Sequence, residues 1–127
     1  MAPVILVVDN HPEFRTFIER TLRLRGYEVT AVADGEAALA AAAVQFPNLV
    51  IAEVRLPGMT GLHVINTLRQ QDPLLPAMAL STVPDVLEHA EEIPAGLELA
   101  SLSFLVKPVT LPDFMNHVIL LLRPRSS

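Results

Sequence analysis

Cysteine is absent from the 127 residues, so neither a disulfide frame nor a thiolate metal site is available. That fits a reducing, cytoplasmic setting. Lysine is almost absent as well: Lys107 is the only one, and the other eight basic residues are all arginine. No run of basic residues interrupts the chain, and the formal net charge is -5, which argues against nucleic acid as a partner of this domain. The longest apolar stretches, such as Ala37 to Val44, are far too short to span a bilayer, so no membrane partner is expected. Met1-Ala2-Pro3 puts no basic flank ahead of Val4, and the start does not read as a signal peptide. Internal repeats and low-complexity linkers are also missing.

Apolar residues make up 51% of the chain, ample for a core, and the length suits one domain over residues 1–127, with 123–127 as a tail or the start of a linker. Strand and helix patterns alternate. Val4 to Val8 is a continuous apolar run, largely β-branched, as in a strand buried on both faces, and Asp9 ends it. A helix follows from about Pro12, with Phe14, Phe17, Ile18 and Leu22 at helical spacing and Gly26 as its stop. Tyr27 to Val32 reads as the second strand. Asp34 caps an alanine-rich helix that Pro47 closes. Leu49 to Val54 is the third strand, and Thr60 caps a helix marked by Leu62, Ile65 and Leu68.

Ala77 to Ser81 is a fourth, shorter strand, after which Pro84 opens a helix through Val86, Leu87 and Ala90 that Pro94 and Gly96 break or bend. Leu102 to Val106 is the fifth strand. Thr110, Pro112 and Asp113 start the last helix, which carries Phe114, Val118, Leu121 and Leu122. Five β-α units predict an α/β fold in three layers, a parallel sheet with helices on both faces. The purely apolar strands, the first, third and fourth, belong at the centre, which points to the order 2-1-3-4-5. In that order the functional crevice lies at the carboxyl ends of the first and third strands, where Asp9 and Glu53 sit.

Four strand ends supply polar groups: Asp9-Asn10, Glu53, Ser81-Thr82 and Lys107-Pro108. Each alone has an ordinary explanation. An acid after an apolar run is commonly a helix cap, and a serine at a strand end is usually a turn residue. Together they would converge on one pocket. His11 adjoins it and could hydrogen-bond there, although a plain surface loop residue is the commoner case, and His63, His89 and His117 lack metal spacing. The loop Asp9-Asn10-His11-Pro12-Glu13 is acidic and has no glycine, which speaks against a phosphate cradle and hence against a flavin or nucleotide binder.

The segment Pro47-Asn48-Leu49-Val50-Ile51-Ala52-Glu53-Val54-Arg55-Leu56-Pro57-Gly58-Met59-Thr60-Gly61 resembles the phospho-acceptor segment of response-regulator receiver domains, and the resemblance extends over nearly the whole chain. It implies a flavodoxin-like (βα)5 fold and a place in two-component signalling and phosphorelay. It assigns Glu53 to the phospho-acceptor position and Asp9 and Asn10 to the acidic pair that helps hold Mg²⁺. With them it assigns the backbone carbonyl of Arg55 to a metal ligand. Ser81, followed by Thr82, matches the hydroxyl that meets the phosphoryl group. Lys107 matches the lysine that pairs with acceptor or phosphoryl oxygens, and Phe104 matches an aromatic switch. The Lys107-Pro108 bond is expected to be cis, as in typical receivers.

Two departures strike the chemistry. Asn10 replaces an acid, removing one anionic ligand from a hard ion that demands near-ideal oxygen geometry, so Mg²⁺ binding is expected to be weak or absent. Glu53 is longer than aspartate and pushes its carboxylate about 1.5 Å further out, where a shift of about 1 Å can cost on the order of 100-fold in rate. The same reach would bring Glu53 nearer Ser81 and Lys107 and partly mimic a phosphoryl group with one negative charge in place of about two. A plainer reading is a decayed pocket in which Glu53 only pairs with Lys107.

The expectation is therefore a non-enzymatic, phosphorylation-independent pseudo-receiver acting through protein partners. The alternative is a conventional Mg²⁺-dependent receiver with an unusual acceptor. The stretch between Ser81 and Lys107 is longer than receivers usually have, and Glu88, Glu91 and Glu92 lie on it. Partners are expected to use the helix opened by Pro84, the fifth strand and the last helix, whose apolar girth also allows a homodimer. Arg15, Arg20, Arg23 and Arg25 read as a solvated face of the first helix.

Overall fold

The computed structural model describes residues 2–81 and 102–123. Among them, β1 is Val4–Val8, α1 Pro12–Leu24, β2 Glu28–Val32, α2 Gly35–Val44, β3 Leu49–Glu53, α3 Gly61–Leu68, β4 Ala77–Ser81, β5 Leu102–Val106 and α4 Leu111–Leu121. The helix expected from Pro84, the acidic residues Glu88, Glu91 and Glu92, Thr82, and the tail from Pro124 lie outside the described residues.

All strand pairings are parallel, and the sheet order is β2-β1-β3-β4-β5, as the apolar patterns predict. The strands alternate their side chains between two cores. Ile5, Val7, Leu49, Ile51, Met78 and Leu80 face one side, where α1 and α4 lay down Ile18, Leu22, Phe114, Met115 and Val118. Leu6, Val8, Val50, Ala52, Ala77 and Ala79 face the other, covered by Ala38 and Ala42 of α2 and Leu62, Ile65 and Leu68 of α3. Small alanines on β3 and β4 let α2 and α3 approach that face closely.

The helix starts follow the expected capping chemistry. The side chains of Asp34, Thr60 and Thr110 accept hydrogen bonds from the N–H groups of Ala37, His63 and Asp113. Asp9 does not cap α1; His11 stands at that position and makes no side-chain cap.

Three expectations are corrected. Tyr27 does not open β2: its N–H reaches the carbonyl of Leu22 and that of Gly26 reaches Arg23, with Gly26 at φ +91°. This is the closed C-terminal turn that glycine permits, and it uses Tyr27 to end α1. β4 is not shorter than the others; it has five residues, all buried, because β3 and β5 flank it. Phe17 shares the helical spacing of the α1 core residues but is exposed, on the flank of the stripe formed by Ile18 and Leu22. On α4, Phe114, Met115, Val118 and Leu121 are buried while Ile119 and Leu120 are exposed. No helix of the described residues is long and apolar enough to cross a membrane.

Candidate functional site

The parallel sheet brings the carboxyl ends of β1, β3, β4 and β5 to one rim. Asp9 follows β1 and is fully buried, its N–H bonded to the carbonyl of Val32 at 3.1 Å. Its carbonyl accepts a bond of 2.7 Å from the Arg15 guanidinium, so the first turn of α1 fixes the loop. Asp9 Oδ1 accepts from the His11 N–H at 2.8 Å, closing a tight turn. Glu53 ends β3 and is 6% exposed. Its backbone is pressed by α3: Gly61 donates its N–H to Val54 at 2.8 Å, and a Cβ on Gly61 would fall on the Glu53 carbonyl. Only glycine allows α3 to start there.

Lys107 follows β5, anchored by its N–H to the carbonyl of Ser81 at 2.8 Å, and precedes a cis bond to Pro108. Its Nζ lies 3.1 Å from Glu53 Oε2 and 3.3 Å from Asp9 Oδ2. The ammonium also stands 4.5 Å from the centroid of the Phe14 ring, within the range of a cation–π contact. Glu53 Oε1 accepts from the Asn10 N–H at 3.2 Å. The His11 ring completes the group, with Nδ1 3.1 Å from Glu53 Oε2 and 3.3 Å from Asp9 Oδ1. Two buried carboxylates thus share one permanent cation, and a protonated His11 would supply a second.

Among the candidates from sequence, Asp9, Glu53 and Lys107 meet directly. Asn10 offers its backbone N–H, while the residue itself is exposed. Ser81 lies on the strand between those carrying Glu53 and Lys107, but Glu53 does not engage it. The Ser81 hydroxyl is buried with no hydrogen-bond partner among the described residues, since both Glu53 oxygens are drawn to Lys107, Asn10 and His11. Arg55 lies exposed in the turn after β3. Phe104 is half-buried against the α2–α3 core. Thr82 lies outside the described residues. Of the two readings of His11, the contact with the pocket is the one the structure shows, its ring meeting Asp9 and Glu53. Phe14 is missed by the sequence reading, which places it in the core alone.

The sequence profile described as "Response regulator receiver domain" matches residues 5–119. The chain belongs to that family. It is a receiver domain of two-component signalling. The transcriptional regulatory protein PrrA of Mycobacterium tuberculosis is 35% identical over 126 residues, 99% of this chain and 52% of PrrA. The alkaline phosphatase synthesis transcriptional regulatory protein PhoP of Bacillus subtilis is 32% identical over 119 residues, 94% of this chain and 48% of PhoP. The chain thus spans about half the length of these relatives. Among solved structures, a response regulator receiver protein of Sinorhizobium medicae superposes with a TM-score of 0.82 at 27% identity, covering 95% of this chain and 94% of that one. The chemotaxis regulator CheY4 of Vibrio cholerae gives 0.79 at 28%, covering 95% and 99%.

Receivers bind Mg²⁺ in their acidic pocket, and the donors of this receiver fit that ion poorly. Both carboxylates are bonded to the Lys107 ammonium, and the amide residue Asn10 stands where a second loop acid would add charge. An imidazole nitrogen lies among the oxygens, all within 4.8 Å of one another. Mg²⁺ prefers oxygen alone and sheds its water reluctantly.

Proposed function

We propose that this receiver is a phosphorylation-independent regulatory module that acts by binding a protein partner. The observation that carries the reading is the engagement of Glu53, at the acceptor position, with Lys107 at 3.1 Å and the Asn10 N–H at 3.2 Å. A phosphoryl acceptor needs an oxygen free for in-line attack and a counter-ion beside it. Here one oxygen holds the lysine and the other a backbone amide. Glu53 in this reading is a standing partial substitute for an acyl phosphate, with Mg²⁺ weakly bound or absent. The pocket roles of Asp9, Asn10, Ser81, Thr82 and Lys107, and the switch role of Phe104, belong to the same proposal. The partner surface would be β5 with α4, where Val106, Leu111, Ile119 and Leu120 are exposed; a homodimer would use the same face.

The test is treatment with acetyl phosphate and, separately, beryllofluoride, each with Mg²⁺. Intact mass is expected to stay unchanged, and amide NMR shifts around Glu53 to show no metal-dependent fluoride complex. A phosphoryl mass gain that requires Mg²⁺ and disappears in Glu53→Gln would establish instead a working receiver with an unusual acceptor.

A further inference from the structure

We propose that Arg23, steadied by Glu19, closes the outer edge of β2 against strand pairing with a second copy of this chain. The sheet order gives β2 a neighbour, β1, on one side only. Main-chain groups of successive residues point to opposite sides of a strand. The Glu28 N–H bonds the Pro3 carbonyl at 3.0 Å and the Val32 carbonyl accepts from Asp9 at 3.1 Å, so Glu28, Thr30 and Val32 face β1. Val29 and Ala31 therefore face outward, as does Tyr27, whose N–H is taken by Leu22 at the end of α1. A row of outward main-chain groups is a template for another strand, and natural edges are commonly blunted by charged side chains.

Arg23 supplies that closure. Its Nη2 donates to the Val29 carbonyl at 3.0 Å and meets Glu19 Oε2 at 2.8 Å, with one hydrogen for each. Glu19 stands one turn earlier on α1 and holds the guanidinium over the strand. A second copy is the strand that fits, because the edge is complementary to itself. With a two-fold axis at Thr30, Val29 of each copy lies opposite Ala31 of the other, and residues so placed exchange N–H···O bonds in an antiparallel pair. The two Thr30 side chains then meet, a favourable cross-strand pair. The run from Tyr27 to Val32 carries β-branched Val29, Thr30 and Val32, and it has no proline to forbid pairing. Each exchanging pair needs a Val29 carbonyl, which is the group that Arg23 occupies.

β2 is the opposite edge of the sheet from β5, so the proposal rests neither on the partner face nor on the crevice chemistry proposed above. The test is Arg23→Ala in the full chain, followed by amide NMR and translational diffusion from micromolar to millimolar protein. The Val29 and Ala31 amide signals are expected to shift with concentration and diffusion to slow relative to the parent, whose Val29 and Ala31 signals stay fixed. Losing a cation makes a chain of net charge -5 more negative, which opposes self-association, so charge alone does not produce the gain. Arg25→Ala removes the same charge from an exposed neighbour and should behave as the parent. Two changes, each added to Arg23→Ala, are expected to return the signals to their fixed positions. Thr30→Glu sets like charges opposite each other at the axis, and Ala31→Pro removes an outward N–H while leaving the bonds to β1. Signals that stay fixed in Arg23→Ala, an equal response in Arg25→Ala, or shifts that survive both added changes would each overturn the assignment.

Discussion

Lys107 reaches Glu53 with Nζ 3.1 Å from Oε2, linking the ends of β5 and β3 across the intervening β4. The same ammonium bonds Asp9 Oδ2 at 3.3 Å, so a single cation serves two buried acids.

That sharing makes the two sides of the pair unequal. Lys107→Met leaves two carboxylates buried without a permanent counter-charge and is expected to cost about 3 kcal/mol. Glu53→Gln leaves the Asp9–Lys107 pair intact, relieves repulsion between the acids, and should cost about 1 kcal/mol. Urea unfolding of both variants measures the asymmetry; equal losses would mean that Asp9 contributes nothing to holding the lysine.

Restoring the usual receiver chemistry should need two changes. Glu53→Asp retracts the carboxylate, but the metal loop still lacks an anion, so labelling by acetyl phosphate should remain slow. Glu53→Asp combined with Asn10→Asp returns both the reach and the charge, and is expected to accept phosphate in a Mg²⁺-dependent way. Time-resolved intact mass compares the two. Rapid labelling of the single variant would show that Asn10 is no obstacle.

Gly61 and Gly35 both start helices, yet their substitution should differ. A Cβ at Gly61 meets the backbone carbonyl of Glu53, which cannot step aside without moving β3 or α3. Gly61→Ala should cost about 2 kcal/mol or more and disturb the Glu53–Lys107 contact. A Cβ at Gly35 meets the side chain of Met59, a flexible thioether that can turn away. Gly35→Ala should stay within about 1 kcal/mol of the parent. Thermal unfolding ranks the pair.

Ser81→Ala removes a buried hydroxyl that has no partner among the described residues. Stability should rise, or fall by less than about 1 kcal/mol, since no bond is lost and a desolvated group is deleted. A loss well beyond that, read in a urea titration, would mean that the hydroxyl holds a bound water.

The sheet order was legible because β1, β3 and β4 are apolar on both faces, which only interior strands can be. Asp9, Glu53 and Lys107 were legible because each ends an apolar run, and parallel strands present those ends together. Contacts set by side-chain reach were not. An exposed histidine in a proline-bounded loop carries no mark of where its ring turns, and Phe14 has the spacing of any core aromatic until β5 delivers Lys107 over its face. Tyr27 has strand propensity, but the backbone demand of ending α1 after Gly26 outweighed it.

Lys107 is the only lysine side chain in the molecule and is 19% exposed in its place between Asp9 and Glu53. Acylating reagents can therefore modify an ε-amine here only when that nitrogen leaves its acids and turns outward. The rate of ε-acylation becomes a one-site clock for opening of the crevice, with no probe introduced, and any partner or ion that shifts this equilibrium will quicken or slow it.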